Sequence, residues 1–242
     1  LIMARFTTHG VFGWTFGQGP KDGYKAPSTK ILAQLNGRYA AGSALLMADT
    51  ALNYRKAMTE FEAVLGQDPR HSPTDARLAE TILLLRDKGL NPESKRRVEV
   101  LLKQADQYHP GIIETVRAKA RQALSSGNLA EGESLARRAL TWNSKDFETV
   151  TLLGELAIAR NDWKAAAEEL SRAIEMNPVA PRPKYYLAIV SLQQGKINAA
   201  QESLRSLMQE TLPHPRSEID YWRLLYSQRG QVEEARKGLE TL

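Results

Sequence analysis

The sequence predicts an all-α fold built from repeated pairs of antiparallel helices, and three observations carry that expectation. First, Tyr54, Ala57, Phe61, Val64 and Pro69 are spaced 3, 4, 3 and 5 residues apart, and Trp163, Ala166, Leu170, Ala173 and Pro178 repeat the same intervals. Second, partial copies recur at Val98, Leu102, Ala105 and Pro110, at Ile197, Ala200, Leu204 and Leu207, and at Val232, Ala235 and Leu239. Intervals of 3 and 4 place these residues on one stripe of a helix. A proline just past the stripe stops the helix, because it lacks an N–H and clashes with the preceding turn. Third, another apolar helix and a short turn precede these stripes, as in Phe147 to Arg160 followed by Asn161-Asp162, so the unit is helix, turn, helix, turn, about 34 residues long.

The elements follow in order. Residues 1–37 do not fit the repeat: Phe6, Phe12, Trp14, Phe16 and Tyr24 are interleaved with glycines at 10, 13, 17, 19 and 23. That stretch is too aromatic for a plain disordered tail and too rich in glycine for a helix. It is expected to be extended and to cap the first repeat, or to dock on a partner through Phe12, Trp14 and Phe16, or to end an upstream domain. Ser28 can cap a helix that runs into Tyr39. The repeats are framed as 38–71, 75–112, 113–146, 147–180, 181–215 and 216–242. In the third, Val116, Ala120 and Ala123 lead to the turn Gly127-Asn128; in the fifth, Leu187 and Ala188 lead to Gly195-Lys196. Leu90 to Ser94 adds a few residues to the second repeat, and Ser144 stands where the third would carry its closing proline. The last hairpin carries Arg229, Glu233, Glu234, Arg236, Lys237 and Glu240, the polar face a stack needs at its end, so it is expected either to cap the stack or to be followed by a cap beyond Leu242.

Composition narrows the function classes. The chain has 242 residues and no cysteine, which excludes disulfide scaffolds, thiolate metal sites and cysteine nucleophiles. Four scattered histidines suggest no metal cage, and no run approaches the roughly 20 apolar residues of a membrane span. Leu1-Ile2-Met3 reads neither as the start of a signal peptide nor as an initiator end, so the chain is expected to continue upstream. The absence of cysteine suits the cytoplasm and the periplasm alike. The net charge of +5 is spread over segments of both signs: residues 113–146 carry six basic and four acidic side chains, residues 147–180 three and six. Without a dense basic stripe, nucleic acid is not the expected partner.

The repeated positions resemble the tetratricopeptide repeat: an apolar residue and a small one on the first helix, then an aromatic or apolar opening to the second, a small Ala, and a closing proline. The copy at 147–180 matches best, through Val150, Leu153, Gly154, Ala157, Trp163, Ala166, Leu170, Ala173 and Pro178. The early tryptophan common in that family is replaced by Ala41, Val116, Val150 or Lys184. The resemblance implies a right-handed superhelical solenoid of antiparallel helix pairs that works as a non-catalytic adaptor. It also implies that a partner protein or peptide lies in the concave groove, against positions two, five, nine, twelve and thirteen of each repeat. Here those are Glu114, Arg117, Arg121 and Leu124, then Glu148, Thr151, Glu155 and Ile158, then Arg182, Tyr185, Ile189, Leu192 and Gln193. Arg117, Arg121 and Arg182 could grip an acidic segment or a terminal carboxylate; alternatively they are solvated or pair with Glu155. By analogy alone, such a chain could serve a bacterial envelope, pilus or motility machine, and an RNA-reading helical repeat is a further reading that the closing prolines oppose.

No phosphate-binding glycine loop and no hydrolase or metalloprotease motif is present, and no cofactor or metal is expected. His71, His109 and His214 read as exposed turn residues, Glu168-Glu169 and Glu233-Glu234 as solvated faces, and Trp142, Trp163 and Trp222 as packing residues.

Overall fold

A computed structural model describes residues 24–85, 90–212, 214, 216–227 and 232–240. The docking residues Phe12, Trp14 and Phe16 lie outside the described residues. Among those described are twelve helices and no strand: α1 (Thr29–Leu46), α2 (Ala51–Gln67), α3 (Ser72–Leu85), α4 (Pro92–Tyr108), α5 (Ile113–Ser125), α6 (Leu129–Trp142), α7 (Phe147–Ala159), α8 (Trp163–Met176), α9 (Pro181–Gln193), α10 (Ile197–Met208), α11 (Ser217–Ser227) and α12 (Val232–Glu240). Odd and even helices pair as hairpins, and every strong helix–helix contact joins elements adjacent or next but one in chain order. That is the contact pattern of a solenoid. The first hairpin opens at Thr29, earlier than the boundary at 38, and Ser28 caps it by accepting a hydrogen bond from the Ile31 N–H.

The stripes are buried along most of their length, although Trp163 is half-buried and Ile197, which opens α10, is exposed. Tyr54, Ala57 and Phe61 of α2 join Val98, Leu102 and Ala105 of α4 around α3, while Ala166 and Leu170 of α8 pack with Ala157 and Val190. Small residues set the closeness of the hairpins. A Cβ added to Gly154 would lie 2.6 Å from Leu170 Cγ, and one added to Gly42 would lie 2.6 Å from the Phe61 ring.

The turns repeat as faithfully as the stripes. Gly127, Asn161 and Gly195, one repeat apart, have φ of +79°, +61° and +76°, and Asp49 holds the corresponding place between α1 and α2 with φ of +50°. This left-handed residue ends the first helix of each of these pairs. In three of them the N–H of the following residue bonds back to the carbonyl of Ala123, Ala157 or Ser191, closing the same loop each time. Between hairpins, Asp68, Asn143 and Asn177 accept a bond from the N–H two residues on, which makes the turn that the closing proline, or Ser144 in its place, continues.

Several expectations need correction. His71 and His214 are 9% and 5% exposed, not solvent-facing: the His71 ring bonds Thr74 Oγ1, and His214 stacks on Tyr185. The turns that carry them fold inward against the first helices, where an imidazole finds polar partners. Trp142 is 50% exposed, because it is the last residue of α6, where the stripe of Gly132, Ala136 and Ala139 that α6 buries runs out. The described end of the N-terminal segment lies against the turn after α2, where Tyr24 Oη donates to Asp68 at 2.6 Å beneath the Arg70 guanidinium.

Candidate functional site: the inner face

The first helices of the pairs share the inner face, and α3 and α7 are its deepest parts. Thr74 to Leu83 and Thr149 to Ala157 are buried on every side. Helices so enclosed would ordinarily be apolar throughout. These carry Arg77, Glu80, Thr151 and Glu155 instead, and the charges of Arg77, Glu80 and Glu155 are each met by an opposite one, whereas buried Asp75 has no such partner among the described residues.

The charges form a chain across the fold. Arg77 Nη1 lies 3.0 Å from Glu80 and 2.9 Å from Glu148. Glu80 receives Arg117 Nε at 3.1 Å, and Arg117 also reaches Asp146 at 2.8 Å and Glu148 at 3.0 Å. Arg121 Nη1 meets Glu155 at 3.0 Å, and Arg182 Nε meets the same carboxylate at 2.9 Å. Arg182 Nη1 continues to Asp49 Oδ1 at 2.8 Å, and His214 Nε2 reaches Asp49 Oδ2 at 2.8 Å. Four arginines thus face five carboxylates. Burial alone would raise the pKa of Glu155, but Arg121 and Arg182 outweigh it and hold the group at about 2. Glu80 is likewise held far below its ordinary value by Arg117, Arg77 and Arg121 against the same burial. Arg117 and Arg182 are buried against their own charge, yet their carboxylates keep them firmly protonated.

The sequence-derived groove residues therefore divide into two groups. Arg117, Arg121 and Glu155 are drawn inward, their side chains 4%, 8% and 7% exposed, and Arg182 is 20% exposed. These arginines serve internal carboxylates, and the pairing of Arg121 and Arg182 with Glu155 is the alternative the sequence already offered. Tyr185 is buried, donating to Asp220 at 2.6 Å and stacking on His214 with ring centroids 3.8 Å apart. Leu124, Ile158, Ile189 and Leu192 are half-buried, and Gln193 is exposed. Three of these, Leu124, Ile158 and Leu192, recur at 34-residue intervals near the C-terminal ends of α5, α7 and α9. Each lies three residues past Arg121, Glu155 or Ile189, on the same helix face. Their shared place in the repeat puts them in one row, next to the helix positions that carry Arg121 and Glu155.

Sequence reading missed Arg77, Glu80, Asp146 and Asp49 as members of the site. A usable signal existed: Arg121 and Glu155 occupy the same place in consecutive repeats with opposite charge. Asp49 carried no comparable signal, since its partner Arg182 lies 133 residues away. Between the wall and the turn before α9 a cavity of about 50 Å³ remains, lined by Tyr54, Arg77, Glu80, Arg121, Phe147 and Arg182 among others. It has room for a few waters, not for a peptide. Among the described residues no group of acidic or histidine side chains is arranged to hold a metal, and no helix is long and apolar enough to cross a membrane.

Comparison with known proteins agrees with this architecture. Residues 123–188 match the family model described as tetratricopeptide repeat. No curated protein sequence matches the chain. Among solved structures, the chain is similar to the human IFIT1 dimer with m7Gppp-AAAA, with a TM-score of 0.70 and 20% identity over 86% of this chain and 50% of that one. It thus spans about half the length of the IFIT1 chain. TTC0263, a thermophilic TPR protein of Thermus thermophilus, superposes with a TM-score of 0.56 and 21% identity over 79% of this chain and 98% of that one. PilW, a type IV pilus biogenesis factor, gives 0.54 and 16% over 86% and 90%. At these identities the likeness is one of fold. The matched segment continues on both sides into hairpins of the same build, so the chain has the fold of a tetratricopeptide-repeat solenoid.

Proposed function

We propose that the protein is a non-catalytic adaptor that binds a partner polypeptide along the inner ledge of Leu124, Ile158 and Leu192, with Gln193 at its exposed edge. Tetratricopeptide folds serve generally as protein-interaction scaffolds. The observation that carries this reading is the repetition of a half-buried apolar residue at one position of three successive repeats, beside a wall whose charges are already paired. A polypeptide can cover such a ledge with alternate side chains, and each aliphatic group it covers contributes roughly 1.5–3 kcal/mol.

The IFIT1 neighbour is solved with a capped RNA, so an RNA reading has to be weighed. RNA binding draws its affinity from cations that release counterions from phosphate. Here Arg77, Arg117, Arg121 and Arg182 are all held by internal carboxylates, which supports a protein partner over a nucleic acid. An assembly factor like PilW would be a special case of the adaptor.

The test is site-specific photo-crosslinking in cells of the source organism, with the crosslinker at Gln193 and, as a control, at exposed Ser206 of α10. A polypeptide captured at Gln193, absent at Ser206, and lost when Ile158 and Leu192 become Asn in a variant that melts as a folded protein supports the ledge. Capture at both positions alike, or capture of RNA instead, sinks the reading.

A further inference from the structure

Asp49 stands apart from its counterparts in the other turns. Gly127, Asn161 and Gly195 hold the left-handed position with no charge, and glycine meets that backbone requirement with the least strain. At Asp49 the chain accepts a side chain at φ +50° and turns it inward, where it is 9% exposed. One carboxylate oxygen receives Arg182 Nη1 at 2.8 Å, and the other receives His214 Nε2 at 2.8 Å. Tyr54 Oη donates to the same carboxylate and also accepts from Arg182 at 3.1 Å.

The receptor for this carboxylate is itself built and braced. Arg182 is oriented by Glu155, which it meets through Nε at 2.9 Å and Nη2 at 3.1 Å, and its guanidinium lies over the Tyr186 ring at 5.4 Å. His214 is clamped by the Tyr185 ring, and Tyr185 in turn by Asp220. Two basic side chains converge from α9 and from the segment before α11 on a group supplied by the first hairpin. Strong helix contacts run only between near neighbours in the chain. The bonds of Asp49 therefore tie the first turn of the solenoid to its fifth and sixth hairpins.

We propose that Asp49 is a detachable clasp: it occupies, from within the chain, a carboxylate-binding site formed by Arg182, His214 and Tyr54, and a carboxylate of an acidic partner segment takes its place and lets the superhelix open. This deepens the adaptor reading and rests on it for the partner, while the clasp itself stands on geometry alone. A partner side chain would inherit the same two charge-assisted contacts that Asp49 makes. An incoming carboxylate must displace one of equal charge, so the closed form is the resting state and entry depends on the effective concentration of the partner segment. The inner ledge widens only when the clasp releases.

The experiment needs no natural partner. Asp49→Gly keeps the left-handed turn while removing the carboxylate, and small-angle scattering of this variant should show a larger maximum dimension than the wild type. Sodium formate at about 100 mM, a concentration at which ionic screening already acts over roughly 10 Å, should raise the melting temperature of Asp49→Gly by several degrees beyond the same concentration of sodium chloride, and leave the wild type unmoved. A fluorescent hexaglutamate peptide should bind Asp49→Gly at least tenfold tighter than the wild type. His214→Leu, which keeps Asp49 and removes one donating arm, should expand the particle less than Asp49→Gly. Unchanged scattering, a formate effect equal to that of chloride, or equal hexaglutamate affinity overturns the clasp. None of these readouts uses the ledge, so the clasp can fail while the Gln193 crosslink succeeds, and the reverse.

Discussion

Arg121 and Glu155 stand 34 residues apart, at the same position of consecutive repeats, and meet as a buried ion pair at 3.0 Å. A repeat architecture brings equivalent positions of neighbouring units side by side, so a change of charge from one copy to the next becomes a contact. Burying such a pair costs desolvation, which its attraction repays only when the geometry is good and further hydrogen bonds are made. Glu155 has both, since Arg182 grips it from the other side.

Removing one partner should therefore be far worse than removing the set. Arg121→Met leaves Glu155 and Glu80 short of a cation in the interior and should cost about 3 kcal/mol, at the low end for a broken buried pair because Arg182 remains. Adding Glu155→Gln should recover part of that loss. Urea unfolding of the two variants checks it; a double variant less stable than the sum of the single ones would count against the network.

Acid should loosen the wall. Glu155 titrates at about 2 in the fold against an ordinary 4.5, so its contribution is present above pH 4.5 and drains away as the pH falls toward 2. Glu80 acts in the same sense. Melting temperatures measured from about pH 6 down to about pH 3 should fall steadily, with the steepest loss below the ordinary carboxylate range, and Glu155→Gln should flatten that slope.

Asp75 has the opposite sign. It is 1% exposed, with one carboxylate oxygen lacking a hydrogen-bond donor, and burial aided by the Asp68 charge pushes its pKa up to about 7 from 3.8. A raised acid is tolerated while protonated, and its ionisation destabilises the fold increasingly as the pH climbs from about 4 to 7. Asp75→Asn should accordingly gain melting temperature at about pH 8 and little at about pH 4.5. An equal effect at both values would show that the charge is not the cause.

Two glycines should respond in opposite ways to the same methyl group. Gly154→Ala drives a Cβ to within 2.6 Å of Leu170 Cγ and should cost about 1–3 kcal/mol by overpacking. Gly37→Ala, on an exposed stretch of α1 with nothing within 4 Å, should stabilise by about 0.5–1 kcal/mol through helix propensity. Calorimetry of both variants separates crossing points from free surface. Ala166→Leu, at a fully buried position of α8, belongs with the first and should lower the melting temperature.

Helix pairs, their small crossing residues and their turns are local: Trp163, Ala166, Leu170 and Ala173 mark α8 by spacing alone, and Asn161-Asp162 marks its start. The recurrence of Leu124, Ile158 and Leu192 was equally legible, because they share the period of the unit. Whether Arg117 faced solvent or a carboxylate was not, because Glu80 lies on another helix and the answer depends on how tightly successive pairs curl.

The amino-acid order alone determined the all-α class, the repeat and most of the apolar stripe on each second helix, since helical periodicity and turn chemistry act over a few residues. Only the tertiary structure decided that the inner wall is neutralised from within and that Asp49 reaches Arg182 and His214. Those contacts depend on the summed rotation of several stacked hairpins, a quantity that no short stretch of sequence encodes.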